Sequence, residues 1–82
     1  MNPARIIALW YEPGTIYDVR NTLYHQSGRR KWISIRRIRE IWEKAKDDGE
    51  LPPFDRPHNG FNKNQSTVLK RFMMVEREKR AA

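Results

Sequence analysis

Cysteine is absent from the 82 residues, which excludes disulfides, thiolate nucleophiles and cysteine-ligated zinc or iron–sulfur sites and suits a reducing compartment. Long apolar runs are missing too: none approaches the ~18 residues that a membrane span needs. The first residues do not show the charged, apolar and small-residue succession of a signal peptide. Serine is sparse, confined to Ser27, Ser34 and Ser66, and neither a serine nor an acid stands near a histidine in a recognisable catalytic motif. With four glycines, the chain has no glycine-rich phosphate loop. His25 and His58 are isolated, without partners at metal-ligand spacing. No catalytic residue, metal or cofactor is therefore expected, and the chain does not read as an enzyme.

What the chain does have is charge, placed unevenly. Residues 20–46 carry nine Lys or Arg (Arg20, Arg29, Arg30, Lys31, Arg36, Arg37, Arg39, Lys44, Lys46) against Glu40 and Glu43, and this block alone accounts for the net +7 of the chain. The segments before and after it nearly cancel. Such a block raises a local positive potential, and the polyanion most available to meet it is nucleic acid. The bland alternative is a solvated, mildly basic surface.

The basic block contains a helix charged against its own dipole. Ile35, Ile38, Ile41, Trp42 and Ala45 recur at helical spacing, with Ser34 as N-cap and Gly49 as the stop. Arg36, Arg37 and Arg39 at the positive end and Asp47 and Asp48 at the negative end each cost some tenths of a kcal/mol. Pairs four apart, Arg36 with Glu40, Arg39 with Glu43 and Glu40 with Lys44, offset part of this. A helix start crowned with arginines is suited to holding phosphates or pointing guanidinium forks at guanine edges.

Elsewhere, Asn2 as cap and Pro3 at the first helical position predict a helix to about Glu12, with Ile6, Leu9 and Trp10 inward. Pro13 and Gly14 break it. Thr15 and Asp18 form a capping-box variant for a second helix whose apolar positions are Ile16, Val19 and Leu23, with Tyr24 near its end. Residues 25–31 read as a loop. Residues 50–60, with Pro52, Pro53 and Pro57 and the turn pair Asn59 and Gly60, read as an ordered extended arm pinned by Leu51, Phe54 and Phe61. A last helix is expected from Asn64 or Ser66 to Lys79, with Val68, Leu69, Phe72, Met73 and Val75 as its apolar face and a fraying tail from Arg77. The chain is thus expected to be all-α, a single domain over 1–82 divided into a core at about 3–49, an arm at 50–63 and a C-terminal helix at 64–80. Trp42 reads as core; Trp32, next to Ile33, also reads as core rather than as a base-stacking platform, and Tyr11, Tyr17 and Tyr24 default to packing.

Three helices in this order, with a basic third, resemble the helix-turn-helix DNA-binding families, homeodomain-like and winged-helix, found in phage and mobile-element regulators. The likeness covers roughly residues 5–52. It rests on Ile6, Ile7, Leu9 and Trp10, on Gly14, Thr15, Ile16, Asp18, Val19 and Leu23, and on Ile33, Ser34 and Ile38. The chain departs from the pattern at Arg20, where a small residue is usual, at Tyr24, where a turn glycine is usual, and by about eight extra residues between Leu23 and Ile33. The resemblance implies a three-helix helix-turn-helix core. It further implies that Arg36, Arg37 and Arg39 face the major groove of double-stranded DNA, with Ser34 near a phosphate. On this reading the protein is a sequence-preferring transcriptional regulator, cytoplasmic and nucleoid-associated.

The expected nucleic-acid-binding set is Arg20, Arg29, Arg30, Lys31, Ser34, Arg36, Arg37, Arg39 and Lys44, with the 29–31 run beside Trp32 gripping the backbone. Val68, Leu69, Phe72 and Met73 either pair with a second copy, the favoured reading, or complete the core of a monomer. Two other partners fit the same positive face. One is an acidic protein surface or nucleic-acid channel, met by a phage-type adaptor or inhibitor; the other is structured RNA.

Overall fold

A computed structural model describes residues 3–81, with side chains described as far as Glu76. The expected cap at Asn2 lies outside the described residues. Four α-helices follow one another, α1 (Pro3–Ala8), α2 (Ile16–Gln26), α3 (Ile35–Asp47) and α4 (Lys63–Ala81), with a 3-10 turn at Leu9–Tyr11 that tightens the end of α1. There is no named strand among the described residues, so the all-α expectation holds.

Local chemistry sets the helix ends. Thr15 and Asp18 cap α2 reciprocally: the Thr15 N–H donates to Asp18 Oδ2 at 2.8 Å, and the Asp18 N–H donates to Thr15 Oγ1 at 3.4 Å. The Ser34 hydroxyl accepts from the Arg37 N–H at 3.1 Å and opens α3. Gly49, at φ 78°, closes α3 in a Schellman arrangement. There the Glu50 N–H returns to the Ala45 carbonyl at 2.8 Å and the Gly49 N–H to that of Lys46 at 3.1 Å. Asn62 and Gln65 exchange a second reciprocal cap, which starts α4 one residue before the earliest start predicted for it. The α4 backbone is helical as far as Ala81, beyond the expected stop at Lys79 and through most of the segment expected to fray; Ala82 lies outside the described residues.

The core is built where α3 crosses α1 and α2. Ile6, Leu23 and Ile38 are its most deeply buried side chains, joined by Val19, Trp42 and Ala45. The Trp42 indole N–H donates to the Ile6 carbonyl at 2.8 Å, fixing α3 to α1 with a buried bond. The 3-10 turn drives Leu9, Trp10 and Tyr11 all inward, so Tyr11 is core as the packing default required. From the arm, Leu51 and Phe61 are buried as expected. Phe54 is half exposed, although its ring lies 5.6 Å from that of Trp10.

The arm is ordered without a hairpin. Phe61 bridges to Pro13 and Gly14, and the Gly14 N–H donates to the Phe61 carbonyl at 3.1 Å. The two segments approach so closely that a Cβ on Gly60 would sit 1.6 Å from the Gly14 carbonyl oxygen. Arg56 locks this crossing. Its Nε donates to the Trp10 carbonyl at 3.0 Å and its Nη2 to those of Glu12 at 2.7 Å and Gly14 at 2.9 Å, while the guanidinium lies over the rings of Trp42 and Phe61. Burial pulls the Arg56 pKa down and the Asp18 charge pulls it back up, and an arginine starts high enough to remain a cation. Next to Arg56 in the arm, Asp55 accepts from Lys46 of α3 at 2.8 Å.

α4 packs on the 3-10 turn through Leu69 and Met73, with the Ser66 hydroxyl donating to the Tyr11 carbonyl and Lys70 pairing with Glu12 at 2.7 Å. Its opposite face, Val68, Phe72 and Val75, is exposed.

Candidate nucleic-acid interface

The basic residues divide between one helix and the loop that feeds it. On α3 the apolar stripe of Ile38, Trp42 and Ala45 faces the core, so the charged side chains are turned out. Arg36 is the most prominent, its side chain 91% exposed. At 3.6 residues per turn, Arg37 and Arg39 point about 160° apart around the helix. The three arginines therefore do not form one row. Arg37 shares its edge with Lys44, seven residues on. Arg39 lies on the other edge and lines a cleft of about 490 Å³ between α3, the start of α2 and the arm, with Tyr17, Trp42, Glu43 and His58 among its neighbours.

The ion pairs on α3 differ from those expected. Glu40 takes both neighbours of the first turn, Arg36 at 3.5 Å and Arg37 at 3.4 Å. The expected pairs of Arg39 with Glu43 and of Glu40 with Lys44 are not formed among the described residues; the Glu40 carboxylate is already taken by Arg36 and Arg37. Arg39, Lys44, Arg29, Arg30 and Lys31 are exposed, with no acid within 4 Å among the described residues. Ser34 is committed to the Arg37 N–H as a cap, which leaves its hydroxyl proton free for an acceptor outside.

The loop between α2 and α3 has its own construction. Gly28 and Arg29 are successive left-handed residues, at φ 72° and 62°. A left-handed arginine is disfavoured sterically, and hydrogen bonds hold it: the Arg29 N–H donates to the Tyr24 carbonyl at 3.0 Å and that of Gly28 to His25 at 3.1 Å. The Ser27 hydroxyl donates to the Tyr24 carbonyl at 2.7 Å and accepts from the Lys31 N–H at 3.3 Å. Arg29, Arg30 and Lys31 thus sit on a folded turn that leads directly into the α3 cap.

Trp32 is not core. It is 57% exposed, because the left-handed pair turns the chain back over α2 and lays the indole on the outside of Tyr24, ring to ring at 4.0 Å and 10°. Ile33, its neighbour, takes the inward position instead. Tyr17, expected to pack, is 58% exposed. Between these rings lies Arg20, its guanidinium 5.1 Å from the Trp32 centroid and 5.6 Å from that of Tyr17, and its Nε has no hydrogen-bond partner. The spacing of Tyr17, Arg20 and Tyr24 along α2 was readable as one helix stripe. That Trp32 would join it depends on the loop path and left no signal in the pattern. Arg56, outside the basic block, gave no signal either, since its partners are backbone carbonyls far away in sequence.

Among the described residues no group of His, Cys, Asp or Glu is placed to hold a metal ion, and no helix is long and apolar enough to cross a membrane. The expected dimer face is split by the fold: Leu69 and Met73 pack on the protein's own core, while Val68 and Phe72 remain outside. Compared with known proteins, the chain matches no family model, no curated protein and no solved structure.

Proposed function

We propose that this chain is a small, sequence-preferring DNA-binding protein of helix-turn-helix character, a transcriptional regulator that lays α3 along the major groove of double-stranded DNA. The observation that carries the reading is the continuity of unneutralised charge from the turn of Arg29, Arg30 and Lys31, through the Ser34 cap, to the outward edges of α3. Every one of these cations is exposed. Only Arg36 and Arg37 share an acid, and in a groove Glu40 has a second use, accepting from a cytosine amino group while the arginines turn to guanine. The 29–31 turn then grips the phosphates beside the groove, Lys44 and Arg37 follow one strand, and Arg39 on the opposite edge reaches the other.

In the same reading a second copy meets the exposed Val68, Phe72 and Val75 stripe of α4, giving a symmetric dimer on a two-fold site. The test is a titration of duplex DNA against salt. If five or six of these cations meet phosphates, log affinity falls with log salt at a slope of about −4 to −6. A slope near zero, or no duplex binding at low salt, sinks the reading and points to an acidic protein surface as the partner. Selection from a random pool then gives the site, and a palindromic winner supports the dimer.

A further inference from the structure

The aromatic ladder on α2 does nothing for the core. Trp32 is the exposed tryptophan of this chain, Trp10 and Trp42 being buried. Its position is nonetheless built with care. The turn that delivers it contains a left-handed arginine, the Ser27 hydroxyl ties that turn to both Tyr24 and Lys31, and the indole lies nearly parallel on the Tyr24 ring. Tyr24 is stacked on the indole and the Arg20 guanidinium lies over it, 5.1 Å from its centroid, yet 57% of the residue stays open to solvent. A large apolar ring held rigidly in water costs free energy unless something is laid on it.

What fits an open, flat ring is another flat ring. The Arg20 guanidinium lies over the same indole, 5.1 Å from its centroid, and Arg29, Arg30 and Lys31 precede Trp32 directly with no acid within 4 Å among the described residues. A planar aromatic group followed by phosphate matches both halves of this surface, and that is the chemistry of a nucleotide whose base is out of the helix stack. A continuous duplex hides its base faces and cannot use the platform. We infer that Trp32, backed by Tyr24 and flanked by Arg20, is a stacking platform for an unpaired nucleobase, with Arg29, Arg30 and Lys31 holding the adjoining phosphates. The ligand class is therefore single-stranded nucleic acid, or a duplex carrying an unpaired nucleotide. The inference rests on the nucleic-acid reading above for its charges and adds to it a base-dependent site that groove binding does not require.

The experiment compares fluorescence-anisotropy titrations of the full chain with four probes of equal phosphate number: a thymidine 12-mer, the same backbone without bases, a uridine 12-mer and a continuous duplex. Tryptophan emission is recorded in parallel, since the buried indoles leave Trp32 as the quenchable one. The wild type is expected to bind the 12-mers about 5- to 100-fold more tightly than the baseless strand, the worth of one base stack, with quenching. Trp32→Ala abolishes that ratio while leaving the baseless strand and the duplex bound as before; Trp32→Phe retains most of it. The thymidine and uridine arms tell a DNA ligand from an RNA one. Equal binding of based and baseless strands by a chain that binds duplex overturns the platform and leaves the groove reading standing. Base-dependent binding without duplex binding supports the platform and removes the groove reading. No binding to any probe at low salt overturns both.

Discussion

The Arg56 guanidinium donates from Nε to the carbonyl of Trp10 at 3.0 Å, across 46 positions of sequence. With the Nη2 bonds to Glu12 and Gly14, this one side chain satisfies the carbonyls left over where the first helical segment ends, and it makes the proline-rich arm part of the fold. Orphan carbonyls at a helix C-terminus are a favourable place for a cation.

Arg56→Ala is accordingly expected to lower stability by about 2 to 4 kcal/mol, since charged hydrogen bonds are worth more than neutral ones and their acceptors are left without partners. Arg56→Lys should recover less than half, because an ammonium cannot span carbonyls that now face two separate nitrogens of a fork. Urea unfolding followed by tryptophan fluorescence measures both. Full recovery by lysine would show that charge alone matters.

Gly60 and Gly49 have nearly the same left-handed backbone, φ 76° and 78°, yet different surroundings: a Cβ on Gly60 meets the Gly14 carbonyl, and one on Gly49 meets nothing within 4 Å. Gly49→Ala should cost the conformational penalty, about 1 kcal/mol. Gly60→Ala should cost at least twice as much, or fail to fold, because it also pushes the arm off the 13–14 crossing. Equal losses in a denaturation series would argue against the close approach.

The Lys46 and Asp55 pair predicts a pH signature. The hydrogen bond and charge of Lys46 hold the Asp55 pKa below its ordinary 3.8, so its contribution is complete above that value and is lost as pH falls through the lowered one. The same bond to Asp55 raises Lys46 above its ordinary 10.5, so its contribution is complete below that pH and fades as pH climbs through the raised one. Asp55 is exposed and Lys46 about a quarter so, which keeps the effect small and salt-sensitive. In low salt, the acid limb of a stability–pH profile should be shallower in Asp55→Asn than in the wild type, and a steeper limb would contradict the assignment.

On duplex DNA, Arg36→Ala is expected to cost about 1 to 3 kcal/mol on a selected site, and much less on random duplex, if its fork reads guanine. Lys31→Ala should weaken all sequences alike and reduce the salt slope by about 1. Parallel titrations of the selected site and random duplex separate the two roles, and a uniform loss for Arg36→Ala would assign it to the backbone.

The order and phasing of the helices were legible in the sequence because they depend on local chemistry. Thr15 and Asp18, Ser34, and Gly49 mark ends through bonds that span three or four residues, and the Ile38, Trp42 and Ala45 spacing fixes which side of α3 is wet. The basic block was legible for the same reason: charge on an outward helix face stays exposed whatever the helix packs against. Only the tertiary structure decided where Trp32 and Arg56 go. The indole lies outside the core because two left-handed residues reverse the loop, and the half-buried guanidinium of Arg56 reaches the rim of the core, where the carbonyls of a distant turn accept from it. Likewise the expected apolar face of α4 was divided between core and solvent by which side met the 3-10 turn. These outcomes depend on the path of a loop or on contacts between segments far apart in the chain, and a one-dimensional pattern of hydrophobicity and charge carries no record of either.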